Sequence, residues 1–105
     1  MERIGLDTVA KMRLKFTTED GKEIEQGKIN DFVVHFFVSP SRVLVIRKEE
    51  MIADKDDTYI VYVDTAKIGP GMMKYKSVLS ILDPQYPDTY RKEVTLYNPD
   101  IEIYR

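Results

Sequence analysis

The sequence predicts an all-β protein, an antiparallel immunoglobulin-like β-sandwich of about seven strands. Several segments alternate apolar and polar residues with a period of two, which is the pattern of half-buried strands. Gly, Pro and Asp residues separate these segments at short, regular spacing, as turns do in all-β domains. No segment shows the 3.6-residue period of a helix. A small β-barrel is the alternative architecture.

The chain has 105 residues, a length that fits one domain. We expect residues 1–9 to form a loose N-terminal arm and residues 10–105 to form a single sandwich domain. Hydrophobic residues make up 43% of the chain and charged residues 32%, which is typical of a globular protein rather than a disordered one.

Charge and residue types exclude several classes of protein. The net charge of −2 argues against a nucleic-acid partner, because such proteins gather a basic excess on one face. The absence of Cys excludes a disulfide framework and a thiolate nucleophile. No apolar signal segment opens the chain, and no apolar run approaches the roughly 20 residues that span a bilayer. We therefore expect synthesis in the cytoplasm and no membrane partner.

The first half of the chain contains three predicted strands. In KMRLKF (11–16), the apolar residues Met12, Leu14 and Phe16 share one face. The Asp20-Gly21 dipeptide then predicts a tight turn. DFVVHFFV (31–38) is rich in aromatic and β-branched residues and predicts a strand buried on both faces. Pro40 interrupts it before the strand VLVIRKEE (43–50).

The middle of the chain predicts a loop, a strand and a change of sheet. The acidic segment 49–57 is predicted as a loop or hairpin end, and TYIVYVD (58–64) as a strand with Tyr59, Val61 and Val63 on one face. TAKIG favours one short helical turn. The following Gly69-Pro70-Gly71 segment suits a chain that crosses from one sheet to the other.

Three predicted strands complete the chain. In MMKYKSVLSIL (72–82), one face carries Met73, Tyr75, Leu79 and Ile81, with Ser77 as a small member. TYRKEVTLYN (89–98) follows a Pro-rich turn, and Pro99 ends it. IEIYR (101–105) is predicted as a short edge strand.

The sequence predicts no catalytic site, no cofactor and no metal. His35 is the only histidine and lies within a strand, and no nucleophile motif such as G-x-S-x-G is present. Asp54, Asp56 and Asp57 are predicted to form a solvated acidic loop, because the bidentate Glu and the mid-loop Gly of an EF-hand are missing. We therefore predict that the protein is not an enzyme.

The chain contains seven tyrosines, and Tyr is enriched at protein interfaces. An exposed terminal strand would also offer an unpaired edge, which invites strand addition by another chain. These features predict a candidate interaction surface that consists of Tyr59, Tyr62, Tyr75, Tyr97 and Tyr104.

Residues 10–104 resemble the short immunoglobulin-like domains of tailed-phage baseplate and fibre proteins. The nearest type is the N-terminal domain of phage baseplate upper proteins, with relatives in prophages of gut Bacteroidetes. The hairpin-like opening around Asp20-Gly21 is one part of the resemblance. The other residues that carry it are Thr65, Ala66, Pro70, Gly71, Tyr75, Asp83, Asp88, Arg91, Val94 and Thr95.

This resemblance implies a non-enzymatic structural module of a phage or prophage tail, associated with the virion. Its implied partners are other tail proteins or copies of itself in a homo-oligomer, and an adaptor or decoration role suits it. The alternative is a cellular β-sandwich that binds a carbohydrate or a protein through exposed tyrosines and acidic loops.

Overall fold

The computed structural model describes residues 1–105 and contains eight β-strands, three short 3-10 turns and no α-helix. The strands are β1 (Glu2–Gly5), β2 (Val9–Lys15), β3 (Ile29–Phe37), β4 (Val43–Arg47), β5 (Ile52–Ala53), β6 (Thr58–Asp64), β7 (Gly71–Leu82) and β8 (Tyr90–Tyr104). The all-β prediction is confirmed. The strands number eight rather than about seven, because β1 and β5 were not predicted and β8 joins two predicted strands.

The strands form a five-stranded sheet in the order β1-β8-β7-β3-β4 and a three-stranded sheet in the order β2-β6-β5. One cluster of 19 buried apolar side chains lies between them and draws on both sheets. At its centre, the ring of Phe32 lies 4.8 Å from that of Phe16 and 4.9 Å from that of Tyr59. The architecture is therefore a sandwich-like pair of sheets, not a barrel closed by hydrogen bonds.

The period-two pattern correctly predicts which side chains enter this core. Tyr59, Val61 and Val63 of β6 are buried, whereas Tyr62 on the opposite face is exposed. All five predicted core-facing residues of β7 are buried: Met73, Tyr75, Ser77, Leu79 and Ile81.

The crossing from β6 to β7 occurs where the sequence predicts it. β6 belongs to the three-stranded sheet and β7 to the five-stranded sheet. A 3-10 turn (Thr65–Lys67) follows β6, and the Asp64 carboxylate accepts a hydrogen bond from the Ala66 N–H. Gly71 then adopts φ +128, and a Cβ at this position would lie 2.5 Å from Cγ1 of Val38. Only glycine combines this conformation with this close approach.

The N-terminal residues do not form the loose arm that we predicted. β1 pairs in parallel with the end of β8, with Ile4 opposite Ile103. The turn after β1 is also held, because the buried Thr65 hydroxyl accepts a bond from the Thr8 N–H and donates one to the Thr8 carbonyl. Partial burial of Ile4 against the core favours this pairing.

Two further predictions about strand boundaries are wrong. Pro99 does not end a strand, because residues 98–100 bulge opposite Lys74 and the β7–β8 ladder continues beyond them. Residues 101–104 are not an edge, because β1 covers them. The Asp20-Gly21 turn closes only the single bridge Thr17–Glu23. β2 and β3 belong to different sheets, so they do not form the hairpin that the resemblance implies.

The prediction that β3 is buried on both faces is also wrong. Phe32, Val34 and Phe36 are buried in the core. Val33, His35 and Phe37 point to the other side of the sheet and are only half-buried. The chain forms no helix with the length and hydropathy that a membrane span requires.

Candidate interaction surface

The five tyrosines of the predicted interaction surface do not lie together. Tyr59 and Tyr75 are buried in the core, with exposed fractions of 4% and 9%, so neither is available to a partner. Tyr97 stacks on Tyr75 with ring centroids 4.7 Å apart. Its hydroxyl accepts a hydrogen bond from the Thr17 N–H at 2.8 Å, which fixes the loop after β2.

Only Tyr62 and Tyr104 of the predicted set are well exposed, and they lie on different sheets. The Tyr104 ring is covered by the Arg3 guanidinium, whose central carbon lies 4.4 Å from the ring centroid. The tyrosines therefore form neither one interface nor an aromatic platform for a sugar.

The acidic loop is tied to neighbouring groups. Asp54 forms a salt bridge of 3.0 Å with Arg13, and the Asp57 carboxylate accepts a hydrogen bond from the Gln26 N–H. No three His, Cys, Asp or Glu side chains lie close enough together to hold a metal ion.

A different surface emerges on the five-stranded sheet. We call it the outer face, and it consists of the half-buried or exposed side chains of β3, β4, β7 and β8 that point away from the three-stranded sheet. Its apolar members include Val33, Phe37, Val43, Val45, Met72, Val78, Val94 and Leu96. Its charged or titratable members are His35, Arg47, Lys74, Lys76 and Lys92, together with the carboxylates of Asp31 and Glu102.

Strand register makes these side chains contiguous. One cross-strand row contains Val45, His35, Lys76 and Leu96, each opposite the next. Directly opposite residues on one face of a sheet have Cβ atoms about 5 Å apart, so the rows form a continuous surface.

The neighbouring row, one step along the strands, contains Arg47, Val33, Val78 and Val94. Exposure within the outer face rises toward β4 and β8: Val45 is 40% exposed, Val94 41% and Leu96 61%.

The outer face carries more basic than acidic groups, although the whole chain is slightly acidic. Its carboxylates are Asp31 and Glu102, and Glu102 is paired with Arg3. Arg47, Lys74 and Lys76 form no salt bridge, whereas Arg3, Arg13, Lys15 and Arg91 elsewhere in the chain each pair with a carboxylate. Most of the other basic side chains are also unpaired, so the distinctive feature of these three is their position beside apolar side chains. His35 lies between Val45 and Lys76. Partial burial, with Lys76 and Arg47 nearby, holds the pKa of His35 below its usual value of 6.5. The folded protein therefore resists protonation of His35, and the cations that contribute to this are Lys76 and Arg47.

One side of the outer face ends at an open strand edge. β4 pairs with β3 on one side, and no strand pairs with it on the other. A shallow depression lies next to this edge and is lined by His35, Phe37, Pro40, Val43 and Lys76. The outer face thus combines apolar side chains, unpaired positive charge and unused backbone hydrogen-bonding groups.

The signal for the outer face was present in the sequence of β3, but its meaning was missed. Continuous apolar residues predicted that both sides of β3 are buried, but this chain buries only one side and leaves the apolar side chains of the other half-exposed. A matching set of apolar residues at Val78, Val94 and Leu96 on neighbouring strands would have located the second side. That inference needs the strand order, which the sequence pattern does not contain.

The chain matches no protein-family model, no curated protein and no solved structure.

Proposed function

We propose that this protein is a non-enzymatic interaction module that assembles with other proteins through its outer face. The observation that carries the proposal is the uncovered side of β3 and its neighbours. Contiguous apolar side chains at the surface of a folded domain mark interaction sites, because their exposure to water is unfavourable.

The charges of the outer face define the chemistry of a partner. Arg47, Lys74 and Lys76 have no carboxylate partner within this chain. A complementary protein surface would bring acidic groups to these cations and apolar groups to Val45 and Leu96.

A phage or prophage tail is the setting that we propose for this module. The support for it is the resemblance to baseplate domains, with an adaptor or decoration role among tail proteins. We also propose that the sandwich is immunoglobulin-like, which the two-sheet core and the repeated change of sheet along the chain support.

The first experiment is mass spectrometry of particles purified from an induced culture of the source organism. We expect peptides of this chain to co-purify with tail proteins at fixed stoichiometry. Particles that lack the chain would overturn the tail setting. A cellular binding module would then be the function to test, by melting-temperature shifts across carbohydrate and protein candidates.

The role of the outer face is tested in the same particles with two variants. The double variant Val94→Asp and Leu96→Asp places carboxylates in its apolar part, and we expect it to lose association. Tyr62→Asp is the matched control, because Tyr62 is 53% exposed on the other sheet, and we expect it to associate normally. Normal association of the folded double variant would overturn the role of the outer face.

A further inference from the structure

The open edge of β4 has backbone groups in a defined arrangement. The Arg47 N–H donates to Oε1 of Glu50 at 3.1 Å, so it points away from β3. In an antiparallel strand, alternate residues direct their N–H and C=O groups to the same side. Val43 and Val45 therefore also direct their backbone groups to the open edge, while Leu44 and Ile46 direct theirs to β3.

We infer that β4 pairs in antiparallel orientation with β4 of a second copy, with Val45 on the two-fold axis. The two five-stranded sheets would become one continuous sheet of ten strands. This inference deepens the proposed function and rests on it, because it names a second copy as one partner of an assembling module.

The side chains of β4 are complementary to themselves in this register. Val45 lies opposite the partner's Val45, and β-branched side chains pack well against their neighbours on a pleated surface. Val43 lies opposite the partner's Arg47, so no two like charges face each other. On the core side, Leu44 lies opposite the partner's Ile46, and both are apolar.

Hydrogen bonds fit the same register. Val45 and the partner's Val45 exchange two backbone bonds across the axis. At each end, the N–H of Val43 donates to the carbonyl of the partner's Arg47. The Glu50 carboxylate occupies the Arg47 N–H and so limits the ladder to the apolar part of β4.

The other open edges are less suited to this pairing. Self-pairing of β2 about Met12 would place Lys11 opposite the partner's Arg13, and like charges directly opposite each other are destabilising. β5 has only two residues. β1 has four, and its Arg3 is held by Glu102 and by the Tyr104 ring. β4 is the edge strand that combines five residues with self-complementary side chains.

Light scattering or sedimentation of the pure chain over a concentration series tests the inference. We expect the mass to rise from one to two copies. Val45→Lys places two ammonium groups at the axis and should weaken association at least about tenfold. Tyr62→Lys is the control on the other sheet, since Tyr62 is 53% exposed on a strand that takes no part in this pairing, and it should leave association unchanged.

Three results would overturn the inference. The first is a single-copy mass at every concentration. The second is unchanged association of Val45→Lys, whose fold is checked by circular dichroism. The third is a dimer that Val94→Lys disrupts and Val45→Lys does not, because that dimer would use the β8 side of the outer face instead of the β4 edge.

Amide hydrogen exchange gives a test that needs no variant. The amides of Val43 and Val45 should exchange more slowly as the concentration rises. The Ile46 amide is directed to β3 and should exchange at a constant rate. Constant exchange at Val43 and Val45 would contradict the inference.

These measurements use the pure chain, so they fail separately from the proposed function. A monomer that still joins particles overturns only the β4 pairing. A dimer that is missing from particles overturns only the tail setting.

Discussion

Ser77 has a buried side-chain hydroxyl that forms no hydrogen bond. It is fully buried in the middle of β7, between Val34 on one neighbouring strand and Thr95 on the other. Its hydroxyl has no hydrogen-bond partner, whereas the nearby Thr95 hydroxyl donates to the Thr17 carbonyl. A buried polar group without a partner loses its bonds to water and gains none in exchange.

Replacing Ser77 by alanine should therefore stabilise the protein. We expect Ser77→Ala to raise the free energy of unfolding by about 1 kcal/mol, because it removes an unsatisfied hydroxyl with little change in volume. Urea denaturation with an unchanged slope measures the effect. Ser80→Ala is the control, since Ser80 lies on the half-buried opposite face of β7 and should change little. A destabilised Ser77→Ala variant would show that the hydroxyl is bonded in solution.

Tyrosine illustrates what residue identity alone leaves open. The predicted surface was based on the enrichment of Tyr at interfaces, and it therefore combined buried tyrosines with exposed ones. The alternation along β6 already separated Tyr59, which shares the face of Val61 and Val63, from Tyr62. Tyr75 likewise shares a face with Met73. The period-two pattern could thus have excluded Tyr59 and Tyr75 from the predicted surface, because the pattern indicates which side chains are buried. Residue type alone does not.

At the scale of elements, the crossover between β6 and β7 is the best-determined connection. The Asp64 carboxylate caps the 3-10 turn, and Gly71 brings the backbone against Val38. Its place and its role were predictable, since Gly-Pro-Gly has few alternatives to a sharp turn. The need for glycine at Gly71 is a consequence of packing against Val38, which lies 33 residues earlier in the sequence.

A methyl group at Gly71 should be costly. We expect Gly71→Ala to lower the free energy of unfolding by about 2 kcal/mol or more, because the side chain both strains the positive φ and overlaps Val38. Thermal or urea denaturation measures this. Gly27→Ala is the matched control, since its φ is ordinary and nothing lies within 4 Å of its Cβ position. Equal stability of the two variants would contradict the packing at Gly71.

Edges and bulges were the elements that the sequence did not specify. Pro99 was expected to end a strand, because proline cannot donate to a ladder. Instead, the bulge at residues 98–100 accommodates it, and the Asn98 side-chain Oδ1 accepts a hydrogen bond from the Asp100 N–H. Whether a proline ends a strand or bends it depends on the partner strand, and local sequence contains no information about that partner.

At the scale of the whole molecule, strand faces were predictable but the division of strands between sheets was not. Alternation is a local property, so the core side of β6 and β7 followed from it. Strand order depends on contacts between distant residues. The outer face depends on that strand order. The sequence therefore identified its side chains but could not predict that they form one surface.

The pH dependence of global stability should contain a contribution from the outer face. The folded protein lowers the pKa of His35 below 6.5, by partial burial first and by Lys76 and Arg47 next. The unfolded chain therefore takes up a proton that the folded protein resists. Stability from this source is complete above pH 6.5 and is lost as the pH falls through 6.5 toward the lowered pKa.

We expect His35→Gln to remove this contribution. The stability of wild type relative to the variant should fall between about pH 7.5 and about pH 5.5. Urea midpoints across this range measure it, and the comparison cancels the titration of groups that both proteins share. Parallel curves for the two proteins would show that the folded state does not resist protonation of His35.

The parallel pairing of β1 with β8 has a mechanical consequence. Glu2 lies opposite Ile101, and Gly5 lies opposite Tyr104, so the two strands run alongside each other in the same direction. A force that pulls Glu2 and Tyr104 apart along the strand direction would slide the two strands past each other. Such a load is shared by the hydrogen bonds of the ladder together, rather than opening them one after another. If the protein were tethered at these two strand ends, the β1–β8 ladder would resist the force in shear. The other strands would bear the load only after this ladder had broken.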